Sequence, residues 1–427
     1  MKFLDRKKID IVIFIEHKDR ELQLSNYIKD KLEQENYSVI IASLIYHTHL
    51  ILCQYEIKTI ITPYIGFGKG SISDLFFKVH GLGINYININ YEQFLFPFTG
   101  KFKIPKTVPA KKYQVNFAWG NHFKEYLTNS GASPENIYVT GRPYSQIIKN
   151  LNTRNDQIRL DLANEFNLNL NKKWVFIALT DGLAFLDDIK LNKIVQGGAE
   201  KEGMYFQVRH DRDSVIKLCE ILSNLNKIDN HENFEFILRP HPSVSTDKYL
   251  NIFSDNNLKI PQSLKIIKEN SALNWLVASD VLITNYSTLI IDAYNINKKI
   301  LVFNHDFKKF DYLWWVKFAN NVFYKLFELN QFLSEVDVKL NIKVNHHYIK
   351  NIDSIKESSK IISLLTKSNV KYSKPSFLKI FYGPFREKRF WGIIFRNFIL
   401  KYLKNSFGLI KEGIAVDYFK LNQDSGK

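Results

Sequence analysis

Only two of the 427 residues are cysteine, Cys53 and Cys219. They stand far apart, each inside an apolar helical pattern, so the chain has neither a disulfide framework nor a cysteine metal site. A reducing, cytoplasmic setting fits. Paired Cys sets and His-x-x-x-His pairs are absent, so neither a structural metal nor metal-dependent chemistry is expected, and no cofactor beyond an activated substrate. No apolar run approaches the roughly 18 residues of a membrane span. The start, "MKFLDRKKIDIVIFIEH", has a basic head and an apolar run. Asp10 interrupts the head, however, Glu16 closes the run, and no small-residue cleavage site follows. Ile9–Ile15 reads instead as a first buried strand. No solenoid-period repeat and no low-complexity linker appears.

Acidic residues are also short. Lys and Arg number 59 against 43 Asp and Glu, leaving a net charge of +16. Half of that excess lies from Lys371 onward, where twelve Lys or Arg face four Asp or Glu. A basic chain favours anionic partners, namely nucleic acid, anionic lipid or acidic saccharide. An Asn-, Lys- and Ile-rich background explains part of the charge, but not its concentration at one end.

What is plentiful is apolar material, 45% of the chain, with 33 Phe and 22 Tyr. Short apolar runs ("IDIVIFI", "YSVIIAS", "KTIITPY", "GINYINI", "VNFAW", "IYVTG") alternate with helical patterns at 20–35, 45–54, 71–80 and 121–130. This is the rhythm of a parallel, doubly wound sheet. A polar helical segment, Ser145–Asn167, makes a crossing. A second series follows: "KWVFIAL", a helix near 212–226, "FEFILRP", "LKII", a helix at 271–279, "DVLITN", a helix from Ser287 and "KKILVF". The expected architecture is α/β, with two Rossmann-like doubly wound domains facing a cleft. They span residues 1–143 and 144–340, with a helical region and basic tail at 341–427 whose first part, 345–366, reads as a helix.

Two strand ends carry the chemical signal. In open parallel sheets ligands bind beyond the carboxyl ends of the strands. "FEFILRP" runs into His241-Pro242-Ser243, and "DVLITN" into Tyr286-Ser287-Thr288. His241 offers a hydrogen bond to a phosphate, Pro242 stiffens its turn, and Arg239 adds fixed charge. Ser287 and Thr288 stand at the cap and first turn of the next helix, where hydroxyls and free N–H groups favour an anion. Either motif alone is commonly structural, a turn or a cap. Together, on strands expected to be neighbours, they point to one phosphate held between them.

The "RPHPS" and "SDVLITNYSTLIIDA" segments resemble the donor domain of GT-B glycosyltransferases that build bacterial surface polysaccharides. The similar families are Kdo transferases, sialyl- and polysialyltransferases, and CDP-glycerol glycerophosphotransferases. "VNFAWGNHFKEYLTNSGASPENIYVTGRPYSQII" looks like their interdomain region, and the likeness extends over about residues 80–305. It implies a cytidine nucleotide bound by Arg239, His241, Pro242, Asn285, Ser287 and Thr288. It also implies an acid near Glu92, where those families often have Glu-Asp-Gly and this chain has Tyr-Glu-Gln.

Glycosyl transfer needs a deprotonated acceptor hydroxyl or a nucleophile, and a stabilised leaving phosphate. Glu92, after "INYININ", and Asp181, in "FIALTDGLAF", are the candidate catalytic carboxylates. Each has a plain alternative as a loop acid or an Asp-Gly turn. Arg209, His210 and Asp211 line the same site or form a solvated helix start. "GFGKGS", Gly66–Ser71, fails the phosphate-loop pattern because Gly70 follows Lys69.

The expected activity is a metal-independent transfer of Kdo or a sialic-acid-like sugar from a CMP-linked donor to a saccharide or lipid-linked acceptor. The alternatives are a glycerol- or ribitol-phosphate transferase of the teichoic-acid type, a UDP-sugar 2-epimerase, or a non-catalytic basic module for RNA or membrane. For the enzyme readings no nucleic-acid partner is expected. In the tail, Arg389, Arg396, Lys404 and Lys411 recur at helical spacing beside Trp391, Ile394, Phe395, Phe398 and Tyr402. That is the pattern of a helix in a membrane interface, so a peripheral enzyme on the inner leaflet is expected. The plain alternative is a helix packed on the first domain.

Overall fold

The computed structural model describes residues 6–16, 18–44, 47–64, 72–93, 104–180, 182–196, 200–305, 313–335, 347–350, 352–368, 372, 373 and 391. The chain forms two compact units: Met1–Pro143 together with Val344–Lys427, and Tyr144–Lys343. The C-terminal region read above as a third part therefore belongs, in its described residues, to the first unit.

The first unit holds β1 (Lys7–Ile15), β2 (Val39–Ser43), β3 (Tyr55–Thr62), β4 (Asn85–Asn88), β5 (Gln114–Ala118) and β6 (Ile137–Val139). They make one sheet in the order β2-β1-β3-β4-β5-β6, every pair parallel. Ile11 to Phe14 are fully buried without alternation, because helices cover both faces of a parallel sheet. One covering helix, Ser354–Ser368, comes from the far end of the chain. Its Ser354, Ser358, Ser359, Ser363 and Thr366 are buried, and this small polar face lets it lie close. Thr366 Oγ1 is 2.9 Å from Thr59 Oγ1, and Asn85 donates to the Leu365 carbonyl at 2.7 Å.

That helix begins later than its sequence pattern, because residues 347–350 lie over the ends of β5 and β6. Lys350 N–H donates to the Trp119 carbonyl and His122 N–H to the His347 carbonyl, both at 2.8 Å. Gly120 is required here, since a Cβ would sit 2.4 Å from the Tyr348 backbone. Gly141, at φ +77°, would place a Cβ 2.7 Å from the Lys350 carbonyl. The "WG" and "VTG" motifs are thus packing signatures of the returning chain.

The amino end of this sheet holds another return. Asp10 accepts from Ser38 N–H at 2.9 Å, the Ser38 hydroxyl at 2.7 Å, the Tyr372 hydroxyl at 2.7 Å and Lys58 Nζ at 2.9 Å. Burial pushes its carboxyl up, but these bonds outweigh burial and hold it at about 2. Ser373 N–H donates to the Ile57 carbonyl at 3.0 Å, extending β3 where β4 has not begun.

The second unit holds β7 (Lys173–Ile177), β8 (Phe234–Leu238), β9 (Leu264–Ile266), β10 (Val281–Thr284), β11 (Lys299–Phe303) and β12 (Asn321–Phe323). Their order is β12-β11-β10-β7-β8-β9, again all parallel. The crossing segment is two helices, Tyr144–Asn152 and Asn155–Phe166. The helix expected near 212–226 is Lys201–Leu222, which packs Val215, Leu218 and Leu222 onto Val175, Ile177 and Phe236. At the amino end, Asp280 accepts from Trp174 N–H at 2.8 Å and from Arg159 at 3.0 Å, tying β7 to β10. No helix among the described residues is long and apolar enough to cross a membrane.

Candidate functional site

Strand order places the site. In the second sheet β8 and β9 run outward on one side of β7, while β10 to β12 occupy the other. The order reverses between β7 and β10, and there the crevice beyond the carboxyl ends opens. His241 follows β8 and Ser287 follows β10, so β7 stands between them and the two motifs are not on neighbouring strands. The middle of the site is the loop after β7, at Thr180 and Gly182.

"RPHPS" folds as a turn because Val244 N–H reaches the His241 carbonyl at 2.8 Å, with Pro242 at the position that favours a fixed φ. Within it, Ser243 N–H donates to His241 Nδ1 at 3.3 Å, and the Ser243 hydroxyl lies 2.8 Å from the same nitrogen. With Nδ1 accepting, the neutral imidazole carries its proton on Nε2, the form that donates to a phosphate oxygen. Gly182 packs on this turn; a Cβ there would meet His241 Nδ1 at 3.0 Å and Ser243 Oγ at 3.1 Å. Arg239 directs Nε and Nη2 to the Asn270 carbonyl at 3.2 and 3.0 Å, pinning the turn before the helix Ala272–Ala278.

After β10, Asn285 is buried and its Oδ1 accepts from Thr180 N–H at 2.9 Å, so it stitches two strand ends. Ser287 Oγ accepts from Leu289 N–H at 3.2 Å, which leaves the hydroxyl hydrogen to donate. Thr288 is the cap of the helix Leu289–Asn295 and makes no side-chain cap bond.

Sequence reasoning left one part of this site undecided. His210 and Asp211 are not a solvated helix start; both are buried in mid-helix, while Arg209 is exposed. Asp211 Oδ1 lies 2.7 Å from the Tyr286 hydroxyl and 2.7 Å from Gln207 Nε2. The Tyr286 hydroxyl is 3.1 Å from the Thr180 carbonyl and accepts from Gln207 Nε2 at 2.8 Å. Burial pushes the Asp211 carboxyl up, against smaller opposing contributions from His210, Tyr286 and Gln207. The His210 and His305 rings stack 4.5 Å apart, with His305 beyond the end of β11. The signal available in sequence was Gln207-x-x-x-Asp211, two polar residues on the apolar stripe of a helix. Asp211 and Asp213 have Asp-x-Asp spacing, but on a helix residues two apart do not face one another. Asp213 is exposed, and the described residues contain no group of three or more His, Cys, Asp or Glu arranged to hold a metal ion.

Glu92 is exposed beyond β4, between buried Tyr91 and Gln93. Gln93 explains part of the Tyr-Glu-Gln variation. It accepts from Trp119 N–H at 2.7 Å and donates to the Phe117 carbonyl at 3.0 Å, bracing β4 against β5. The first sheet reverses order between β1 and β3. There Tyr64 donates to Glu16 Oε1 at 3.2 Å, and Glu16 N–H to Glu21 Oε2 at 2.7 Å. The sequence reading gave neither acid a role in the site. Asp181, Gly66–Ser71, Arg389, Arg396, Lys404 and Lys411 lie outside the described residues, as do Ile394, Phe395, Phe398 and Tyr402; Trp391 is half exposed.

Against known proteins, residues 209–314 match the family model described as CDP-Glycerol:Poly(glycerophosphate) glycerophosphotransferase. No curated protein matches the chain. Among solved structures, the UDP-GlcNAc 2-epimerase of Methanocaldococcus jannaschii superposes with a TM-score of 0.55 at 14% identity, over 84% of this chain and 100% of that one. A variant of the wall teichoic acid polymerase TagF superposes with a TM-score of 0.52 at 14% identity, over 86% and 90%. These likenesses agree with two Rossmann-like units of GT-B type.

Proposed function

We propose that the chain is a GT-B transferase that takes a cytidine-activated donor and releases CMP, with a glycerol- or ribitol-phosphate donor ahead of a CMP-linked sugar. The observation that carries this reading is the family match at 209–314. It encloses both strand-end motifs, and they flank the switch point of one sheet. The Kdo and sialic-acid readings rested on the same motifs and gain nothing further.

In the proposed reaction an acceptor hydroxyl attacks the glycerol-bearing phosphorus of CDP-glycerol. The bond from that phosphorus to the bridging oxygen breaks, CMP leaves with the electron pair, and the acceptor proton passes to a base. His241 Nε2–H, the Ser287 hydroxyl and Thr288 hold the phosphates, where charge gathers on the leaving group. Glu92 and Asp181 remain the proposed carboxylates, with the acceptor saccharide or lipid-linked. The test is incubation of the full chain with CDP-glycerol labelled in the glycerol-bearing phosphate and a glycerol-phosphate-primed acceptor. CMP release with label in the product supports the reading. CMP release only from CMP-sugars restores the sugar transferase, and conversion of UDP-GlcNAc with no transfer supports an epimerase.

For location, the reading is a cytoplasmic enzyme docked on the inner leaflet through its basic tail. Four cations near an anionic surface, at about 1 kcal/mol each, suffice for reversible docking. Because Tyr372 and Ser373 are fixed in the first unit, a chain ending after Ser373 keeps its clasp. It should lose sedimentation with anionic vesicles that the full chain shows at low salt. Equal, salt-insensitive sedimentation of both would remove the membrane role.

A further inference from the structure

Asp211 is 1% exposed, Gln207 2% and Tyr286 6%, so the triangle they form lies inside the second unit, behind the site. Gln207 has two N–H hydrogens on Nε2, one for Asp211 and one for the Tyr286 oxygen. Tyr286 then has a single hydrogen to give. Asp211 at 2.7 Å is its nearer acceptor and the Thr180 carbonyl at 3.1 Å the more distant. The Tyr286 main chain is fixed as well, since its carbonyl accepts from Trp315 Nε1 at 2.9 Å. Ser287 and Thr288 follow Tyr286 directly, and Thr180 meets both residues before them: its N–H donates to Asn285 Oδ1 and its carbonyl lies 3.1 Å from the Tyr286 hydroxyl.

We propose that Asp211 is a positioning residue of the donor site: by accepting from Tyr286 it holds the Asn285–Thr288 turn against Thr180 and presets the separation of the β7 and β10 ends that bracket the nucleotide phosphates. The inference rests on the transferase reading for the identity of the ligand. Acceptance, not charge, is the property used. Among the described residues Asp211 Oδ2 has no hydrogen-bond partner, and the His210 imidazole stands off at 3.5 Å from Oδ1. The titratable groups facing it are His210 on its own helix, with His305 stacked behind, and Tyr286 from the opposing turn. Asp280 in the same unit is the contrast. It is paired with Arg159 at the amino end, where no ligand is expected.

The experiment is calorimetric titration of the full chain with CMP, alongside thermal melts. The variants are Asp211→Ala, Asp211→Asn, Tyr286→Phe, the Asp211→Ala/Tyr286→Phe double and Asp280→Asn. Asp211→Ala and Tyr286→Phe should each weaken CMP binding about tenfold, the loss of one positioning hydrogen bond. The double should be no weaker than the worse single by more than about threefold, because both act through one contact. Asp211→Asn keeps the acceptor oxygen and should recover affinity to within about threefold. Asp280→Asn should lower the melting temperature and leave affinity alone. CMP affinity within twofold of wild type in both Tyr286→Phe and Asp211→Asn, together with an unaffected or unfolded Asp211→Ala, overturns the inference, and so do additive effects. A wild-type chain that binds none of CMP, CDP, UDP or GDP overturns the transferase reading and the inference with it.

Discussion

The carboxyl ends of the two sheets are built from the same kind of strand and finished differently. In the first unit the ends of β5 and β6 are covered by the protein's own chain, with Lys350 bonded to Trp119 and Ser354 to Gly141. In the second unit the ends of β8 and β10 carry a histidine turn and two hydroxyls, with a buried acid of the helix Lys201–Leu222 bonded to the turn after β10. Each end has its glycine, and the glycines differ in what they face. Gly120 and Gly141 yield to backbone, which cannot move aside, whereas Gly182 yields to the ends of the His241 and Ser243 side chains, which can.

The largest expected effect tests that distinction. Gly120→Val forces a side chain into the Tyr348 backbone and should destabilise the first unit by about 3 kcal/mol or more, or abolish soluble expression. Gly182→Ala should cost under about 1 kcal/mol in a melt, yet weaken nucleotide binding by displacing the imidazole. If Gly120→Val melts like wild type, the covering of β5 and β6 is not as tight as described. If Gly182→Ala binds CMP normally, the loop after β7 is not part of the donor site.

Next come the side chains of the two strand-end motifs. His241→Ala should weaken CMP binding by about 1.5–3 kcal/mol, the range for a hydrogen bond to a charged group. Ser287→Ala should cost less, since Ser287 Oγ also supports Leu289 N–H and its loss is shared between cap and ligand. Arg239→Ala should act mainly on stability through the Asn270 turn. An equal loss of affinity in Arg239→Ala and His241→Ala would return Arg239 to the phosphate.

Eleven of the twelve described strands were legible because they are short, mainly apolar runs bounded by polar or turn residues, as parallel strands buried on both faces must be; the three-residue β12 was not read. Strand order was not legible. The insertion of β7 between the two motifs depends on which way each crossover turns, which no local pattern records. Helix ends were missed where a local cap or a tertiary contact overrode periodicity. The helix from Lys201 starts early because Glu200 caps it through Glu202 and Gly203 N–H, and the helix from Ser354 starts late because the chain before it is held on β5 and β6. Within the site, His241 and Ser287 were visible as polar breaks after apolar strands. Asp211 was ambiguous because a buried acid and a solvated one look alike until the opposing tyrosine is in place.

The smallest expected effect contrasts two acids at opposite ends of the molecule's logic. Asp10, in the clasp of the first unit, has its folded carboxyl held at about 2, below an unfolded value near 4. Its contribution to stability is therefore complete above about pH 4 and is lost as pH falls toward 2. Asp211 has a folded carboxyl raised above the same unfolded value. Its contribution runs the other way: it is complete below about pH 4 and is lost as pH rises through the folded value. Replacing each acid by its amide separates the two. The melting-temperature difference between Asp10→Asn and wild type should grow more negative from pH 2 to 4 and then level off. For Asp211→Asn the difference should grow more positive as pH rises above 4, by a few degrees at most. Melts of both variants from pH 2 to 8, read beside CMP affinity, distinguish an acid kept for its charge from one kept for its acceptor oxygen. Parallel slopes for the two variants would mean that Asp211 is ionised where it stands, and that its hold on Tyr286 is a charged one.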